Sequence, residues 1–101
     1  MMQGDQYRIP IQLKHENGDA LDASEIRDIE VFVGDVRHTM KDGGIDYSDG
    51  IFYFYLMQKE SFRLRGNVKI QARVVFNSGD VVGVDLGIKN VQESVSKVVL
   101  A

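Results

Sequence analysis

The strongest constraint on the fold is a repeated alternation of apolar and polar residues with a period of two. This period puts every second side chain on one face of an extended strand, so it predicts β-strands with one buried face. The clearest case spans residues 68–88, where two alternating runs flank Asn77-Ser78-Gly79. We predict a hairpin with a three-residue loop and with Gly79 in a left-handed conformation. The predicted pairs are Val74 with Val82, Ala72 with Val84, Ile70 with Leu86, and Val68 with Ile88.

A second hairpin is predicted around Gly34-Asp35, because a two-residue loop with glycine first suits a type II′ turn. The pairs on its apolar face are Val33 with Val36, Val31 with His38, and Ile29 with Met40. We expect the other face to be solvated, and its residues are Glu30, Phe32, Arg37 and Thr39.

Six further segments complete the expected secondary structure. Residues 7–14 alternate as a strand, and Pro10 predicts that this strand lies at a sheet edge, because proline cannot donate a ladder hydrogen bond. Asp22 and Glu25 have the spacing of a capping box, so residues 22–27 are expected to form a helical turn. Residues 51–56 form a strand, followed by a helical turn over residues 58–62 that crosses between sheets. Residues 41–50 are expected to form a loop and residues 91–100 a last strand.

Together these elements predict an all-β fold. Six to eight short strands, with turn signals about every 8–12 residues, are typical of an antiparallel β-sandwich, here with one or two short helical turns. A chain of 101 residues fits one domain, covering residues 1–101.

Composition excludes several classes of function. The chain has no cysteine, which excludes disulfides, thiol catalysis and cysteine-ligated zinc or iron–sulfur sites. The net charge of −3 argues against nucleic acid as the main partner. No apolar run reaches the length of a membrane span, and the N-terminus lacks a signal-peptide core, so we expect no membrane association through a span.

The sequence contains no pattern that predicts an enzyme. Neither His15 nor His38 has a second ligand at metal spacing, and His38 is expected to be a half-buried, hydrogen-bonded strand residue. Asp42, Asp46 and Asp49 share one loop, which is compatible with calcium, although aspartate there is more commonly a turn former. We therefore expect no cofactor, no metal and no small-molecule substrate.

Two sets of residues are candidates for protein contacts. Ile51, Tyr53 and Tyr55 form one row of a strand, which is either exposed as an interface or covered by other elements. Lys69, Gln71 and Arg73 lie on the polar face of a later strand and are further candidates.

Charge is unevenly distributed along the chain. Residues 1–50 carry a net charge of −6 and residues 51–101 a net charge of +3. If the two halves faced different ways, copies could associate head to tail, whereas interleaved strands would mix the charges.

The order of motifs resembles a family of phage structural proteins. These motifs are Gln3-Gly4-Asp5 with Tyr7, Ile9-Pro10-Ile11, Asn17-Gly18, Leu21-Asp22, residues 29–34, Phe52-Tyr53-Phe54-Tyr55-Leu56 with Gln58, Glu60 and Phe62, residues 68–76 with Asn77, Gly79 and Val81, and Ser94-Val95-Ser96-Lys97 with Leu100. In this order they resemble the N-terminal domain of the baseplate upper proteins of tailed phages of Gram-positive bacteria, and related small phage or prophage structural proteins. The resemblance covers nearly the whole chain.

This resemblance implies a function without catalysis. It implies an immunoglobulin-like β-sandwich that contacts other virion proteins, with homo-oligomers as one option, located in the virion or the cytoplasm of the bacterial host. The longer baseplate proteins continue into coiled-coil and receptor-binding-organising regions, so we expect a small stand-alone phage or prophage structural protein. The alternatives are a carbohydrate-binding β-sandwich that stacks sugars on Tyr53 and Tyr55, and a small enzyme built around His38.

Overall fold

The computed structural model describes residues 1–95 and residue 99, and in this part of the chain seven strands form two antiparallel sheets. The strands are β1 (Tyr7–Ile11), β2 (Ile26–Val33), β3 (Val36–Thr39), β4 (Ile45–Ser48), β5 (Ile51–Leu56), β6 (Gly66–Phe76) and β7 (Val81–Val91). A 3-10 turn (Ala23–Glu25) precedes β2, and the helix α1 (Gln58–Ser61) lies between β5 and β6. The predicted all-β sandwich with short helical turns is confirmed.

The two sheets pack their apolar faces against each other. One sheet has the order β1-β5-β4 and the other has the order β3-β2-β6-β7, and α1 crosses between them as predicted. Phe52 and Phe54 of β5 are fully buried against Ile29, Val31 and Val33 of β2, because alternation sends every second side chain inward. In the described part of the chain, no helix is long and apolar enough to cross a membrane.

The edge position of Pro10 and the cap at Asp22 are confirmed, but the helical turn is shorter than the predicted residues 22–27, because Ile26 and Arg27 belong to β2. Pro10 lies in β1 at the edge of its sheet, opposite Tyr53. Asp22 caps the 3-10 turn by accepting a hydrogen bond from the N–H of Ser24 at 3.0 Å, and Glu25 accepts one from the N–H of Asp22 at 3.4 Å. The cap depends on residues three positions apart, and the edge position reflects the missing N–H of proline, so the sequence predicts both.

The hairpin formed by β2 and β3 has the predicted register. Val33 pairs with Val36 and Val31 with His38, and Gly34 has a φ of 61°, as a type II′ turn requires. One expectation is wrong: Thr39 is buried, at 8% exposure, instead of solvated. The chain after β3 turns back over it, and the N–H of Asp42 donates to Thr39 Oγ1 at 3.1 Å.

The hairpin formed by β6 and β7 follows the prediction only near its loop. Gly79 has a φ of 96°, and Val74 pairs with Val82 and Ala72 with Val84, as predicted. The predicted pairs of Ile70 with Leu86 and of Val68 with Ile88 are wrong. The register shifts between Lys69 and Gln71, so that Lys69 pairs with Ile88 and Val68 with Lys89.

A bulge in β7 causes this shift. One extra residue lies between Asp85 and Ile88, where Gly87 has a φ of 97° and donates its N–H to Asp85 Oδ1 at 2.9 Å. Because the extra residue reverses the alternation, Ile88 faces outward, with 65% of its surface exposed, and Val91 joins the core.

Two predicted segments differ from the structure. Residues 41–50 contain the strand β4, which pairs with β5 and buries Ile45, instead of forming only a loop. Strand β4 has only four residues and is bordered by Gly44 and Asp49. Because glycine and aspartate are common in turns, the segment has the composition of a loop and its short alternation is not recognised.

The expected last strand over residues 91–100 is wrong where the structure describes it. Val91 ends β7, Gln92 makes an isolated parallel bridge with Met2, and Val95 is fully exposed outside any strand. The remainder of that prediction falls on residues 96–98 and 100, which lie outside the described residues, as does residue 101.

Candidate interaction surfaces

The predicted interface residues lie on two opposite outer faces of the sandwich. Ile51, Tyr53 and Tyr55 alternate with the buried residues of β5 and are half-buried on the outer face of the three-stranded sheet. The sequence allows this row to be either open to solvent or covered by other elements. The exposure of the three side chains lies between these two alternatives. The residues on the outer face of the four-stranded sheet, all exposed, are Lys69, Gln71 and Arg73.

The first surface, here called the tyrosine face, consists of Arg8, Asp46, Ile51, Tyr53 and Tyr55. The guanidinium carbon of Arg8 lies 4.3 Å from the ring centroid of Tyr53 and 5.3 Å from that of Tyr55. The hydroxyl of Tyr55 donates to Asp46 Oδ2 at 3.3 Å. Arg8 therefore holds both rings by cation–π contacts, and Asp46, on the strand at the other side, holds Tyr55 by a hydrogen bond.

Arg8 and Asp46 also belong to this face, although the sequence does not predict them there. Both residues are on the polar side of their strands, which is visible in the alternation of β1 and β4. Their position next to the tyrosines depends on the pairing of β5 with β1 and β4, which places Arg8 opposite Tyr55 and Asp46 opposite Tyr53. Alternation predicts which way a side chain points, but it does not predict which strand lies beside it.

The second surface is polar and contains a notch. Arg37 and Glu30 form an ion pair on neighbouring strands of the four-stranded sheet. Next to it lies a notch of about 300 Å³, here called the Gly83 notch, whose lining includes Phe32, Gln71, Arg73, Gly83 and Asp85. The notch exists because Gly83 carries no side chain where the neighbouring strand carries Arg73.

His38 connects β3 to α1 and to the loop after β3. Its Nε2 lies 2.8 Å from Glu60 Oε2 and its Nδ1 lies 3.5 Å from Asp42 Oδ2, with 20% of the side chain exposed. Nε2 is buried without an aligned hydrogen bond, so its approach to Glu60 Oε2 is a close polar contact outside hydrogen-bond geometry. The ring also packs against Phe54, with centroids 4.9 Å apart. The predicted half-burial of His38 in a strand is confirmed, whereas the predicted hydrogen bonding is not met at Nε2.

The loop beside His38 is fixed by Asp42 and Gly44. Asp42 Oδ1 accepts a hydrogen bond from the N–H of Gly44 at 2.7 Å. Burial by itself raises the pKa of Asp42, but hydrogen bonds from the backbone of Gly44 and Thr39, together with His38, lower this pKa below its ordinary value of 3.8. The imidazole of His38 and the carboxylates of Asp42 and Glu60 therefore meet at one corner of the sandwich.

The remaining polar residues of interest have local partners. Asp46 accepts a hydrogen bond from the N–H of Tyr47 at 3.1 Å, and Asp49 occupies a turn with a φ of 51°. His15 lies 2.8 Å from Glu25. Across residues 1–95 and 99, no group of three histidine or carboxylate side chains is placed to hold a metal ion.

The uneven charge of the two chain halves does not produce two charged faces. Strand β5, from the second half, lies between β1 and β4, and β6, also from the second half, pairs with β2. The strands of the two halves therefore alternate in the three-stranded sheet, whereas in the four-stranded sheet β3 and β2 lie on one side and β6 and β7 on the other. Each sheet thus contains strands of both halves.

Comparisons with models of protein families, with curated proteins and with solved structures found no match.

Proposed function

We propose that this chain is a non-enzymatic structural or assembly protein of phage or prophage type that acts through protein–protein contacts, with the tyrosine face as its binding surface. The observation that carries the proposal is the arrangement of Tyr53 and Tyr55 on one outer face, held by Arg8 and Asp46. The order of motifs that resembles baseplate proteins supports the assignment to a virion component.

The tyrosine face suits a protein partner because its aromatic side chains are already ordered. Binding a partner costs free energy for every flexible side chain that becomes fixed, and this cost is smaller for rings that neighbours already hold. Tyrosine and arginine are also the residue types that most often dominate the binding energy of protein interfaces. Both types occur here on a rigid sheet.

The apolar area of this surface extends beyond the rings. Met57 follows β5 directly and has 52% of its surface exposed, and it lines the same shallow depression as Tyr55. A methionine adapts its shape to a partner because its side chain is unbranched and flexible. An interface centred on Tyr55 can therefore place apolar contacts at its middle and the charges of Arg8 and Asp46 at its rim.

The geometry supports the carbohydrate-binding alternative less well. A sugar ring stacks on an open aromatic face, and the guanidinium of Arg8 lies over faces of both Tyr53 and Tyr55. A sugar would have to displace this cation or use the opposite ring faces. We therefore retain carbohydrate binding only as an outcome of the test.

The test is direct binding to the purified structural proteins encoded next to this chain's gene, measured by biolayer interferometry. We expect Tyr53→Ala and Arg8→Ala to weaken binding by about 30-fold, the loss typical of an interface hot spot. Arg65→Ala is the matched control, because Arg65 is an arginine with 74% of its side chain exposed, away from this face.

Two results would contradict the proposal. The first is that none of these proteins binds. The second is that Tyr53→Ala binds as tightly as the unchanged protein, which would move the interface elsewhere. Binding of host wall polysaccharide that Tyr53→Ala abolishes would favour the carbohydrate alternative.

A further inference from the structure

Strand β7 has an edge that is open over most of its length. It is the last strand of its sheet, and β6 pairs with only one side of it. On the other side, the N-terminus covers the far end of the strand: Met1 donates its amino group to the carbonyl of Asn90 at 3.3 Å, and Gln92 bonds to the backbone of Met1 and Gln3. Among residues 1–95 and 99, no strand pairs with this edge between Val81 and Leu86.

The hydrogen-bond pattern shows which backbone groups face this open edge. The N–H of Phe76 donates to the carbonyl of Asp80 at 2.9 Å, so these two residues form a hydrogen-bonded pair at the hairpin loop. Because such pairs alternate along an antiparallel ladder, Val84 bonds to β6, whereas the N–H and C=O groups of Gly83 and Asp85 point away from it. Asp85 and Gly83 therefore offer donors and acceptors to an added strand.

We propose that two copies of this chain pair through their β7 edges, antiparallel and about a two-fold axis at Val84. This register sets Gly83 of one copy opposite Asp85 of the other, twice, and it uses the backbone groups that face the open edge. The inference does not rest on the proposed function, because the tyrosine face takes no part in it.

Charge complementarity selects this register. Asp85 of the second copy would lie opposite Gly83, which has no side chain, and the next residue across the sheet is Arg73. Arg73 lies on β6, and Asp85 of the second copy would lie two strands away, on the far side of β7. Neighbouring strands are separated by about 4.8 Å, so these two strands would be about 10 Å apart. An arginine and an aspartate extending toward each other over a glycine can span this distance, through the Gly83 notch.

Other registers lack this match. A two-fold axis at Asp85 would set the two copies of Asp85 directly opposite each other, and like charges in that position are destabilising. An axis at Gly83 would set Asp85 opposite Val81, whose neighbour on β6 is the apolar Val75. Only the register centred on Val84 brings each Asp85 near an Arg73.

The inner side of β7 also matches itself in this register. Val82 would lie beside Leu86 of the second copy, and the two copies of Val84 would be side by side. These residues line an apolar groove of about 320 Å³ between the two sheets, and Val82 is 47% exposed. Pairing would therefore cover apolar surface at the same time as it satisfies the backbone groups of the edge.

The paired segment ends at defined points. At Gly87 the bulge interrupts the strand, and the N–H of Gly87 already donates to Asp85 Oδ1. Beyond the bulge, the N-terminus occupies the edge at Asn90. Pairing is therefore confined to the five residues 82–86, a short interface that predicts a concentration-dependent dimer instead of a permanent one.

Sedimentation over a concentration series tests the proposal. We expect a mass that rises from 11.4 kDa toward twice this value. Asp85→Lys should weaken the dimer at least about tenfold, because it places a lysine beside Arg73 of the second copy. The double variant Arg73→Glu with Asp85→Lys exchanges the charges and should restore pairing. Asp35→Lys, an equal charge change in an exposed turn, is the control and should pair like the unchanged protein.

Hydrogen exchange followed by NMR gives an independent measurement at the residues concerned. The amides of Gly83 and Asp85 should exchange quickly in dilute protein and slowly in concentrated protein. The amide of Val84, which bonds to β6, should be protected in both.

Three results would overturn the inference. They are a mass of one chain at all concentrations, a dimer that Asp85→Lys leaves unchanged, and amides of Gly83 and Asp85 that are protected in the monomer. The last result would mean that another part of the same chain covers the edge.

Discussion

Replacing Gly44 by alanine tests the packing of the His38 corner most sharply. A Cβ at position 44 would lie 2.3 Å from Cγ and Nδ1 of His38 and 2.6 Å from its Cβ. Carbon atoms in contact are separated by about 3.5–4.0 Å, so the imidazole or the loop must move by at least about 1 Å. Such a movement pulls the ring away from Phe54 and from Glu60.

The expected cost follows from this overlap. Overpacking a well-packed site typically destabilises a protein by about 1–3 kcal/mol. For a domain of about 100 residues, a loss of about 2 kcal/mol lowers the melting temperature by about 8–16 °C. We expect the free energy of unfolding of Gly44→Ala, measured by urea denaturation, to fall by an amount in this range.

A double-mutant cycle assigns the cost to His38. In a His38→Gly background both the ring and the Cβ of residue 38 are absent, so Gly44→Ala should cost little, and the coupling between the two changes should be about 1–3 kcal/mol. Gly83→Ala is the matched control, because the nearest atom to its added Cβ is a carbonyl oxygen 4.0 Å away, and it should be neutral or slightly stabilising in dilute protein. The reasoning is refuted if Gly44→Ala is within about 0.5 kcal/mol of the unchanged protein, or if its cost is the same with and without His38.

Three further predictions concern stability. Gly79→Val should lower the free energy of unfolding by about 1–3 kcal/mol in thermal melts, through backbone strain alone, because the φ of 96° is unfavourable for valine and nothing lies within 4 Å of the added Cβ; unchanged melting would contradict the left-handed loop. Asp22→Ala should cost about 0.5–2 kcal/mol by removing the cap of the 3-10 turn, whereas Asp22→Asn should retain most of it; equal losses in both variants would exclude a capping effect. The lowered pKa of Asp42 means that the folded state binds its proton less readily than the unfolded state does. Its stabilising contribution is therefore complete above the ordinary pKa of 3.8 and is lost as the pH falls through the lowered native value. Urea denaturation at several pH values should show the difference between the unchanged protein and Asp42→Asn shrinking in this acidic range, and a difference that stays constant would refute the assignment.

The sequence predicts those parts of this fold whose causes are local. The turn at Gly34, the loop at Gly79 and the cap at Asp22 each depend on residues within a few positions, and the structure confirms all three. Burial of alternate residues then selects the register next to each turn. Alternation also predicts the all-β sandwich, because several hairpins with one apolar face each can cover these faces by packing sheet on sheet.

The bulge in β7 shows where this reasoning fails. The apolar alternation of Val82, Val84 and Leu86 continues without a break to Ile88, so burial alone favours a regular strand. The structure instead inserts Gly87 in a left-handed conformation and turns Ile88 outward. Glycine fits both arrangements in the sequence. In the structure, the N–H of Gly87 bonds to Asp85 Oδ1 and the N-terminus lies against the last part of β7.

The candidate surfaces were predicted only in part, because contacts between distant strands determine them. The exposure of Tyr53 follows from alternation within β5, but its contact with Arg8 requires the pairing of β5 with β1. The contact of His38 with Glu60 likewise joins a strand of one sheet to the helix that crosses between sheets. Neither pairing leaves a signal in the local pattern of either segment.

The two proposed contacts would act together if both are present. In a dimer formed through β7, the inner faces of both four-stranded sheets point to the same side, because residues opposite each other in a ladder share a face. The three-stranded sheets pack on these inner faces, so both tyrosine faces would also be presented on that side. A dimer could then bind two neighbouring subunits of a partner array, and avidity can exceed single-site affinity by about 10²-fold or more without new contacts. The unchanged protein should therefore bind an immobilised array of its partner more tightly than monomeric Asp85→Lys, and both should bind a single soluble partner subunit equally. Equal binding to the array would show that pairing and partner binding are independent.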